Sequence, residues 1–270
     1  MERKVYVKAL AQISLQQEDP DYGKMFSVME ARRLSKLMKR ALAVSRDVLS
    51  QVGVAVPDAV ITGTGLGCIE NTEHFLKSLT GLSDAPLRPT HFMQSTHNTI
   101  GSLIAISLGC HGYNATYSHL GVSFESGLLD ALVLLRLGVV RNALVGAFEE
   151  MTPGFAMLLE KGGYQGIVAP DGRLSETAVS LFLDTEAEGA LCELADLRLG
   201  AVPEGFGGTA LRTVRADWTA RYGENFSVSA LGTCDAVRLI ASCGAAAVVL
   251  DNDFYGKSHS TLLLSSVCGK

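Results

Sequence analysis

The chain has 270 residues, of which 47% are hydrophobic and 19% are charged. This length and composition suit one large core or two fused lobes, and they exclude a disordered chain. The formal net charge of −5 argues against a general nucleic-acid binder, which carries a basic surplus. No run of 18 apolar residues predicts a membrane span, and the N-terminus makes a poor signal peptide, so we expect a cytoplasmic protein.

The first half of the chain alternates between predicted strands and helices. Alternating apolar residues predict a strand in VYVKALAQISL (5–15), and helical spacing predicts one helix over residues 27–53. A short buried strand then runs into the glycine-rich stretch GTGLG (63–67), which we interpret as a tight turn because it lacks the lysine of a phosphate loop. Residues 69–79 are predicted to be a helix with Asn71 as its cap, and residues 97–109 a helix buried on nearly every face.

The alternation continues with a strand in YNATYS (113–118), a helix over 123–138 and a strand in NALVGAFEE (142–150). This order predicts a parallel or mixed sheet that helices cover on both faces. Strands over 177–184 and 189–200 precede a predicted linker over 198–226, and a helix over 227–244 precedes two closing strands.

Cysteine and histidine patterns give no sign of a metal or cofactor site. No two histidines have the spacing of a helical metal-ligand pair, and no CxxC pair occurs. We therefore predict no metal and no cofactor, with His97 and His119 as structural residues. The cysteines are predicted to be reduced thiols; they are Cys68, Cys110, Cys192, Cys234, Cys243 and Cys268.

A strand turns sharply into a helix at YSHLGVSFESGLLDA (117–131), and such a junction often carries a nucleophile. The candidates in the turn are Gly121, Ser123 and Ser126, and GVSFE misses the hydrolase pattern because Glu125 replaces its last glycine. A carboxylate there would also oppose formation of an oxyanion. A serine hydrolase is therefore the less favoured interpretation.

The segment from Gly112 to Glu149, followed by SALGTCDAVRLIASCG and NDFYGKSHSTLLL, resembles a ketosynthase of the thiolase superfamily. RRLSKLMKRAL, VITGTGLG and FMQSTHNTIGSLIAISLGCHGYN are similar to the chain-length factors of bacterial aryl-polyene and dialkylresorcinol or flexirubin pathways. The resemblance implies a thiolase-like layered α/β fold. It also implies a complete N-terminal lobe over 1–198 and a truncated C-terminal lobe over 199–270.

Departures from the family pattern imply that the chain is not a catalyst by itself. In the gapless match the nucleophilic cysteine falls on Gly121, and a shifted register places Phe124 there instead. The histidine of the family's TGH motif falls on Ser229, and its HGTGT motif has no counterpart. Neither Gly121 nor Phe124 has a nucleophilic atom, so an acyl-enzyme cannot form under either alignment.

The resemblance then implies a chain-length factor that pairs with an active ketosynthase and supports elongation on an acyl carrier protein. The strand YNATYS would pair with its partner's equivalent strand, and neighbouring side chains would form the floor of the partner's acyl tunnel. The residues expected at this floor and interface are Phe92, Met93, Gln94, Asn114, Thr116 and Ser118.

Basic residues between positions 32 and 40 are expected to dock the acidic carrier protein, with those at 32, 36 and 40 on one helix face because they are four residues apart. They are Arg32, Arg33, Lys36 and Arg40. Two alternatives stay open at this point. The first alternative to a chain-length factor is an active acyltransferase or thioester hydrolase that uses Ser123 or Cys110. The second is a homodimeric scaffold without a ketosynthase partner.

Overall fold

A computed structural model describes residues 3–82, 86–168, 172–200 and 205–267. The described strands are β1 (Tyr6–Ser14), β2 (Ala59–Gly63), β3 (Tyr113–Tyr117), β4 (Asn142–Glu149), β5 (Thr177–Asp184), β6 (Cys192–Leu199), β7 (Leu211–Val214), β8 (Ala247–Phe254) and β9 (Ser258–Ser265). The helices are α1 (Val28–Ala31), α2 (Lys36–Val52), α3 (Ile69–Leu79), α4 (Pro89–Met93), α5 (Thr99–Leu108), α6 (Ser123–Leu137), α7 (Pro153–Lys161), α8 (Arg215–Tyr222) and α9 (Val228–Cys243).

The described strands form one mixed sheet in the order β3-β2-β4-β5-β1-β6-β9-β8-β7. β2 pairs in parallel with β3 and β4, whereas β5 runs antiparallel to β4 and β1. The sheet has two halves, the first half-sheet β3-β2-β4-β5-β1 and the second half-sheet β6-β9-β8-β7. They share only a short stretch of pairing, because within the described strands only Tyr6 and Val7 of β1 pair with β6. The mixed sheet confirms the sequence-based expectation.

Helices α6 and α9 lie between the two half-sheets. α6 contacts β2 and β4 on one side and β6 on the other, while α9 contacts strands of both halves. Their buried residues, among them Phe124, Leu128 and Leu231, share one core with residues of both half-sheets. Three alanines and one glycine let α9 pack closely. The glycine, Gly232, lies against the Trp218 ring of α8 at a distance that would admit no methyl group.

A second core covers the opposite face of the first half-sheet. Residues of α2 and α5, such as Met38 and Ile104, pack there against Val60, Leu144 and Phe182. α5 is not buried on every face as predicted, since Ile106 is 80% exposed. The first half-sheet therefore has helices on both of its faces, as the alternation of elements predicts.

The predicted helix over residues 27–53 is divided into two. Ser27 and Glu30 form a capping box on α1, which ends at Arg32. Ser35 then caps α2 by accepting a hydrogen bond from the backbone N–H of Met38, at 3.3 Å. Because two serines each cap a helix start, the chain changes direction between them.

Two further local predictions are wrong. α3 begins after Cys68, so Asn71 lies inside the helix and does not cap it. The predicted linker over residues 198–226 contains β7 and α8, whose Trp218 and Tyr222 are buried in the main core. The proposed lobe boundary at 198/199 falls inside β6, and the division into lobes stays a prediction.

Candidate functional site

The strand-to-helix turn that the sequence singled out is present and strained. β3 ends at Tyr117, residues Leu120–Val122 make one 3₁₀ turn, and α6 begins at Ser123. Leu120 has a φ of 51°, and among the described residues only Tyr255 shares a positive φ without being glycine. Strain of this kind gathers at functional turns. The strained residue, Leu120, comes one position before Gly121 and has an aliphatic side chain.

Gly121 packs directly against the ring of Phe254. A Cβ atom added at Gly121 would lie 2.2 Å from both Cγ and Cδ2 of Phe254, so only glycine fits there in the observed arrangement. Phe254 belongs to β8 and is 1% exposed. Its ring fills the space above the turn that a nucleophilic side chain would otherwise occupy.

An aromatic cluster surrounds Phe254. The ring centroids of Phe226, Tyr164 and Tyr255 lie 5.2, 5.9 and 5.2 Å from that of Phe254. About 10 Å³ of free space is left among these residues and their neighbours. That volume is close to the minimum for one water molecule and is far too small for an acyl chain.

Asn252 connects the turn to the second half-sheet. Its Nδ2 donates to the carbonyl oxygen of Gly121 at 2.8 Å and to Oε1 of Glu125 at 2.7 Å. Its Oδ1 accepts a hydrogen bond from Nη1 of Arg215 at 2.8 Å. Asn252 and Arg215 are both buried, and Arg215 also pairs with buried Glu224. No local sequence pattern predicts this network.

Ser229, the position expected to have lost a catalytic histidine, lies beside Glu125. Both side chains are buried, and the Ser229 Oγ and Glu125 Oε2 atoms have no partner with good hydrogen-bond geometry among the described residues. Burial raises the pKa of Glu125, while Ser229, Asn252 and Ser260 act to lower it. Ser229, where the resemblance implies a lost histidine, therefore lies next to a buried carboxyl group.

The GTGLG stretch is a turn, as predicted, and it encloses a carboxylate from the same chain. The backbone N–H groups of Gly65 and Leu66 each donate to Glu149 at 2.8 Å. The hydroxyls of Thr64 and Ser227 donate to the same carboxylate at 3.3 and 3.1 Å. Burial raises the pKa of Glu149 to about 7, whereas the four donors favour its ionised form.

Ser123 and Cys110, the nucleophiles of the alternative interpretation, lie at opposite ends of β3. The Ser123 hydroxyl is fully buried; it donates to the carbonyl of Leu120 at 2.7 Å and accepts from the N–H of His119 at 2.8 Å. Cys110 precedes β3, and its thiol donates to the carbonyl of Pro57 at 3.2 Å. The His119 ring meets Ser126 rather than Ser123, with Nδ1 2.9 Å from Oγ.

The basic residues near α2 do not form the predicted shared face. Arg32 and Arg33 lie in the turn before α2, outside either helix. Lys36 pairs with Glu176 at 2.7 Å. Arg40 is 6% exposed, and its guanidinium is held by Asp19 and Glu176 at 2.5 Å each. Arg40 therefore cannot reach a docking partner, and that part of the prediction is wrong.

β3 lies at the edge of the sheet and pairs, among the described strands, only with β2. Burial, followed by the nearby Asp130 of α6, raises the pKa of the Tyr113 and Tyr117 hydroxyls of β3. Val133 and Leu137 follow Asp130 at helical spacing and are 44% and 73% exposed. We call β3, Leu120, Val133 and Leu137 the edge surface.

The expected interface residues fall into two groups. Phe92 and Met93 are 57% and 72% exposed on α4, and Ser118 is exposed beside the turn. In contrast, Asn114 donates to the carbonyl of Gly101 at 3.1 Å, and the Thr116 hydroxyl meets that of Thr62 at 2.8 Å. Gln94 donates to the carbonyl of Arg33 at 3.3 Å. Asn114, Thr116 and Gln94 are thus engaged within the chain.

Across the four described ranges, His, Cys, Asp and Glu side chains nowhere gather in a group of three suited to a metal ion. None of the described helices combines the length and apolar character needed to cross a membrane. The described cysteines are unpaired, and Cys268 lies outside the described residues.

Comparisons with known proteins agree with the fold. A family model described as beta-ketoacyl synthase, N-terminal domain, matches residues 8–179. No curated protein sequence matches the chain. The structure is similar to a chain of the type II polyketide complex AntDE:AntF, with a TM-score of 0.79 and 15% sequence identity. That complex is described as an acyl-carrier protein with its ketosynthase bound to the hexaketide. That match covers 99% of this chain and 100% of the other.

Two other solved complexes are similar at comparable coverage. The ishigamide ketosynthase/chain length factor gives a TM-score of 0.76 at 15% identity, over 99% of this chain and 100% of the other. The ketosynthase ApeO in complex with its chain length factor ApeC, from Xenorhabdus doucetiae, gives 0.71 at 14% identity, over 98% of each chain. These likenesses confirm the expected thiolase-like, mixed α/β fold.

The contact between Gly121 and Phe254 can be tested by a double-mutant cycle. We expect Gly121→Ala to lower the free energy of unfolding by roughly 1–3 kcal/mol, because the added methyl group overpacks the core. In a Phe254→Ala background the same change should cost clearly less, because the clashing ring is gone. Urea unfolding measures all four proteins. Gly23→Ala is the control, since its Cβ would meet only the movable Asp21 side chain, at 3.2 Å. Equal costs in both backgrounds would contradict the contact.

Buried Glu150 should make stability depend on pH. Burial and then the charges of Glu70, Glu176 and Glu149 raise its pKa from 4.5 to about 7. A raised pKa means that protonated Glu150 favours folding, and this contribution is lost as the pH rises from about 4.5 through about 7. Glu150→Gln should therefore gain ~1–3 kcal/mol over the native chain at pH 8, and little at pH 4.5. Urea unfolding at both pH values measures this. The exposed Glu160→Gln is the control, and a gain independent of pH would refute the assignment.

Proposed function

Because the chain belongs to the beta-ketoacyl synthase N-terminal domain family, which matches residues 8–179, we propose that it is a non-catalytic chain-length factor. It forms a heterodimer with an active ketosynthase and supports elongation on an acyl carrier protein, in a type II polyketide or aryl-polyene pathway. The observation that carries this proposal is the contact of Gly121 with Phe254, which leaves no room for a nucleophilic side chain at position 121.

The loss of chemistry is supported at each position that a nucleophile would take. Leu120, Gly121 and Phe124 have no nucleophilic atom, whichever of them matches the family's cysteine. The Ser123 hydroxyl is buried and has both a donor and an acceptor already. The space left among Phe254 and the aromatic residues around it is about 10 Å³, which is too small for an acyl chain. An acyltransferase or hydrolase at this turn is therefore the weaker reading.

The heterodimer is supported by the free edge of β3. Its unpaired backbone groups are a ready template for a strand of another chain, and the exposed Leu120, Val133 and Leu137 supply apolar surface beside it. The ishigamide and ApeO structures are both described as a ketosynthase with a chain length factor. We propose the same kind of pairing here, through an obligate-type apolar interface.

Contact with the growing chain is proposed for α4. Phe92 and Met93 expose most of their side chains, although apolar residues of this size are usually buried. The ring of Phe92 packs on Phe75 of α3 at 5.2 Å, which fixes its position from below. We propose that these two side chains close the partner's acyl tunnel, and that the exposed Ser118 lies at the same interface.

Carrier docking is proposed for the turn that contains Arg32 and Arg33. Among the described residues neither guanidinium pairs with a carboxylate, whereas Lys36 and Arg40 are both engaged. The AntDE:AntF structure is described as containing an acyl-carrier protein. Two free cations suit an acidic carrier, and such binding weakens as salt is added.

Co-purification tests the partner. Co-expressed with its cognate ketosynthase, the chain should co-purify in equal amounts, and Leu137→Glu should abolish this by burying a charge in the apolar interface. The control is Leu158→Glu, since Leu158 is 58% exposed on α7, outside the edge surface. A homodimer that ignores the ketosynthase would instead identify a scaffold. Acylation of Ser123 or Cys110 in mass spectra of the chain alone would overturn the non-catalytic assignment.

Product length tests the tunnel floor. In a reconstituted heterodimer, Phe92→Ala and Met93→Ala should each lengthen the product, because removing side-chain volume deepens the tunnel. Mass spectrometry of the released chains measures the change. Met157→Ala, which truncates an exposed side chain on α7, should leave the length unaltered. If the α4 variants also leave it unaltered, Phe92 and Met93 are not the floor.

A further inference from the structure

A polar cleft of about 500 Å³ opens between the turn before α2 and helices α3 and α4. It is separate from the aromatic cluster at Gly121, and its lining is rich in cations and hydrogen-bond donors. The lining residues used here are Arg32, Arg33, Arg88, Asn71, His74 and His91.

The charge of this cleft is opposite to that of the whole chain. Arg32, Arg33 and Arg88 contribute +3 and Glu70 contributes −1, so the lining carries +2 with both histidines neutral, whereas the chain carries −5. In the described parts of the chain no carboxylate forms an ion pair with any of these three arginines. Guanidinium groups without a partner, facing one cleft, favour an anionic ligand.

A buried amide in the cleft lacks a hydrogen-bond acceptor. Asn71 is only 7% exposed, yet its Nδ2 has no partner among the described residues. A buried donor without an acceptor is costly, and native structures nearly always satisfy such a group. Its position inside α3, where the sequence had predicted a cap, directs the amide to the cleft lining instead.

One of the two histidines carries the same signature. Their rings lie 5.4 Å apart between centroids, and Nδ1 of His91 has no described partner. Burial, followed by the nearby charges of His74 and Arg88, lowers the pKa of His91. Positive charge is thus crowded at this cleft, and an anion would relieve the crowding.

We propose that this cleft binds a phosphate group. A phosphate group is anionic at neutral pH and presents mainly acceptor oxygens, which matches the guanidinium, amide and imidazole donors of the lining. The exposed Glu70 stands at the rim, where its side chain can turn to solvent. The space exceeds that of phosphate alone, so the group can arrive free or carried on a larger molecule such as a phosphopantetheine arm. Only the second source rests on the proposed function.

The test is a calorimetric titration of the purified full chain, or of its heterodimer, at constant ionic strength in chloride. The probes are inorganic phosphate, 4′-phosphopantetheine and pantetheine. We expect saturable phosphate binding that Arg33→Gln and Asn71→Asp each weaken about tenfold or more. Arg141→Gln is the control, because it removes the same charge at a residue paired with Asp58 outside the cleft.

The outcomes separate the two sources and the two proposals. Tighter binding of 4′-phosphopantetheine than of inorganic phosphate, with none of pantetheine, identifies the carrier arm; equal binding of the two phosphates identifies a free anion. Absence of saturable binding, or equal weakening by Arg141→Gln, overturns the site. Asn71→Asp is nearly isosteric, and an unchanged melting temperature shows that it is folded. Co-purification with the ketosynthase does not depend on this result, so one proposal can fail without the other.

Discussion

The hydrogen bonds of the Asn252 side chain are the interactions on which the rest of the site depends. One side-chain amide holds the carbonyl of Gly121 and the carboxyl of Glu125, and its oxygen accepts from Arg215. All of these groups are buried, so each would be costly without the others. Through this amide the closing hairpin is fixed against the turn, and the two half-sheets, which share only a short stretch of strand pairing, are joined at a second point.

Once Asn252 is fixed, the position of Phe254 follows. The two residues lie two apart on β8, so both side chains point to the same face of the sheet, and Phe254 is placed on Gly121. Arg215 covers the other side of the ring, with Cζ 4.7 Å from the centroid. The turn thus combines a strained backbone at Leu120 with tight hydrophobic packing above Gly121.

Much of the fold was readable from the sequence, because long periodic segments bury one face. β1, α6, β4 and α9 agree with the predicted elements, and the GTGLG turn was correctly separated from a phosphate loop. The failures have local causes. α1 ends at Ala31 and Ser35 caps the start of α2, so Arg32 and Arg40 do not share a helix face. The glycines after residue 198 suggested a linker, so β7 and α8 were not predicted there. The Trp218 ring of α8 packs on Gly232 of α9, a contact that the local sequence does not indicate. The Phe254 contact spans 133 residues and leaves no local pattern.

The open border of β3 has a consequence for how the protein must be produced. Neither lysine nor proline interrupts this strand, so nothing in it discourages adventitious pairing with other polypeptides. In the proposed heterodimer the partner would cover this edge, so a subunit produced in excess would leave the strand open to aggregation. Balanced supply of the two proposed subunits would then limit that aggregation.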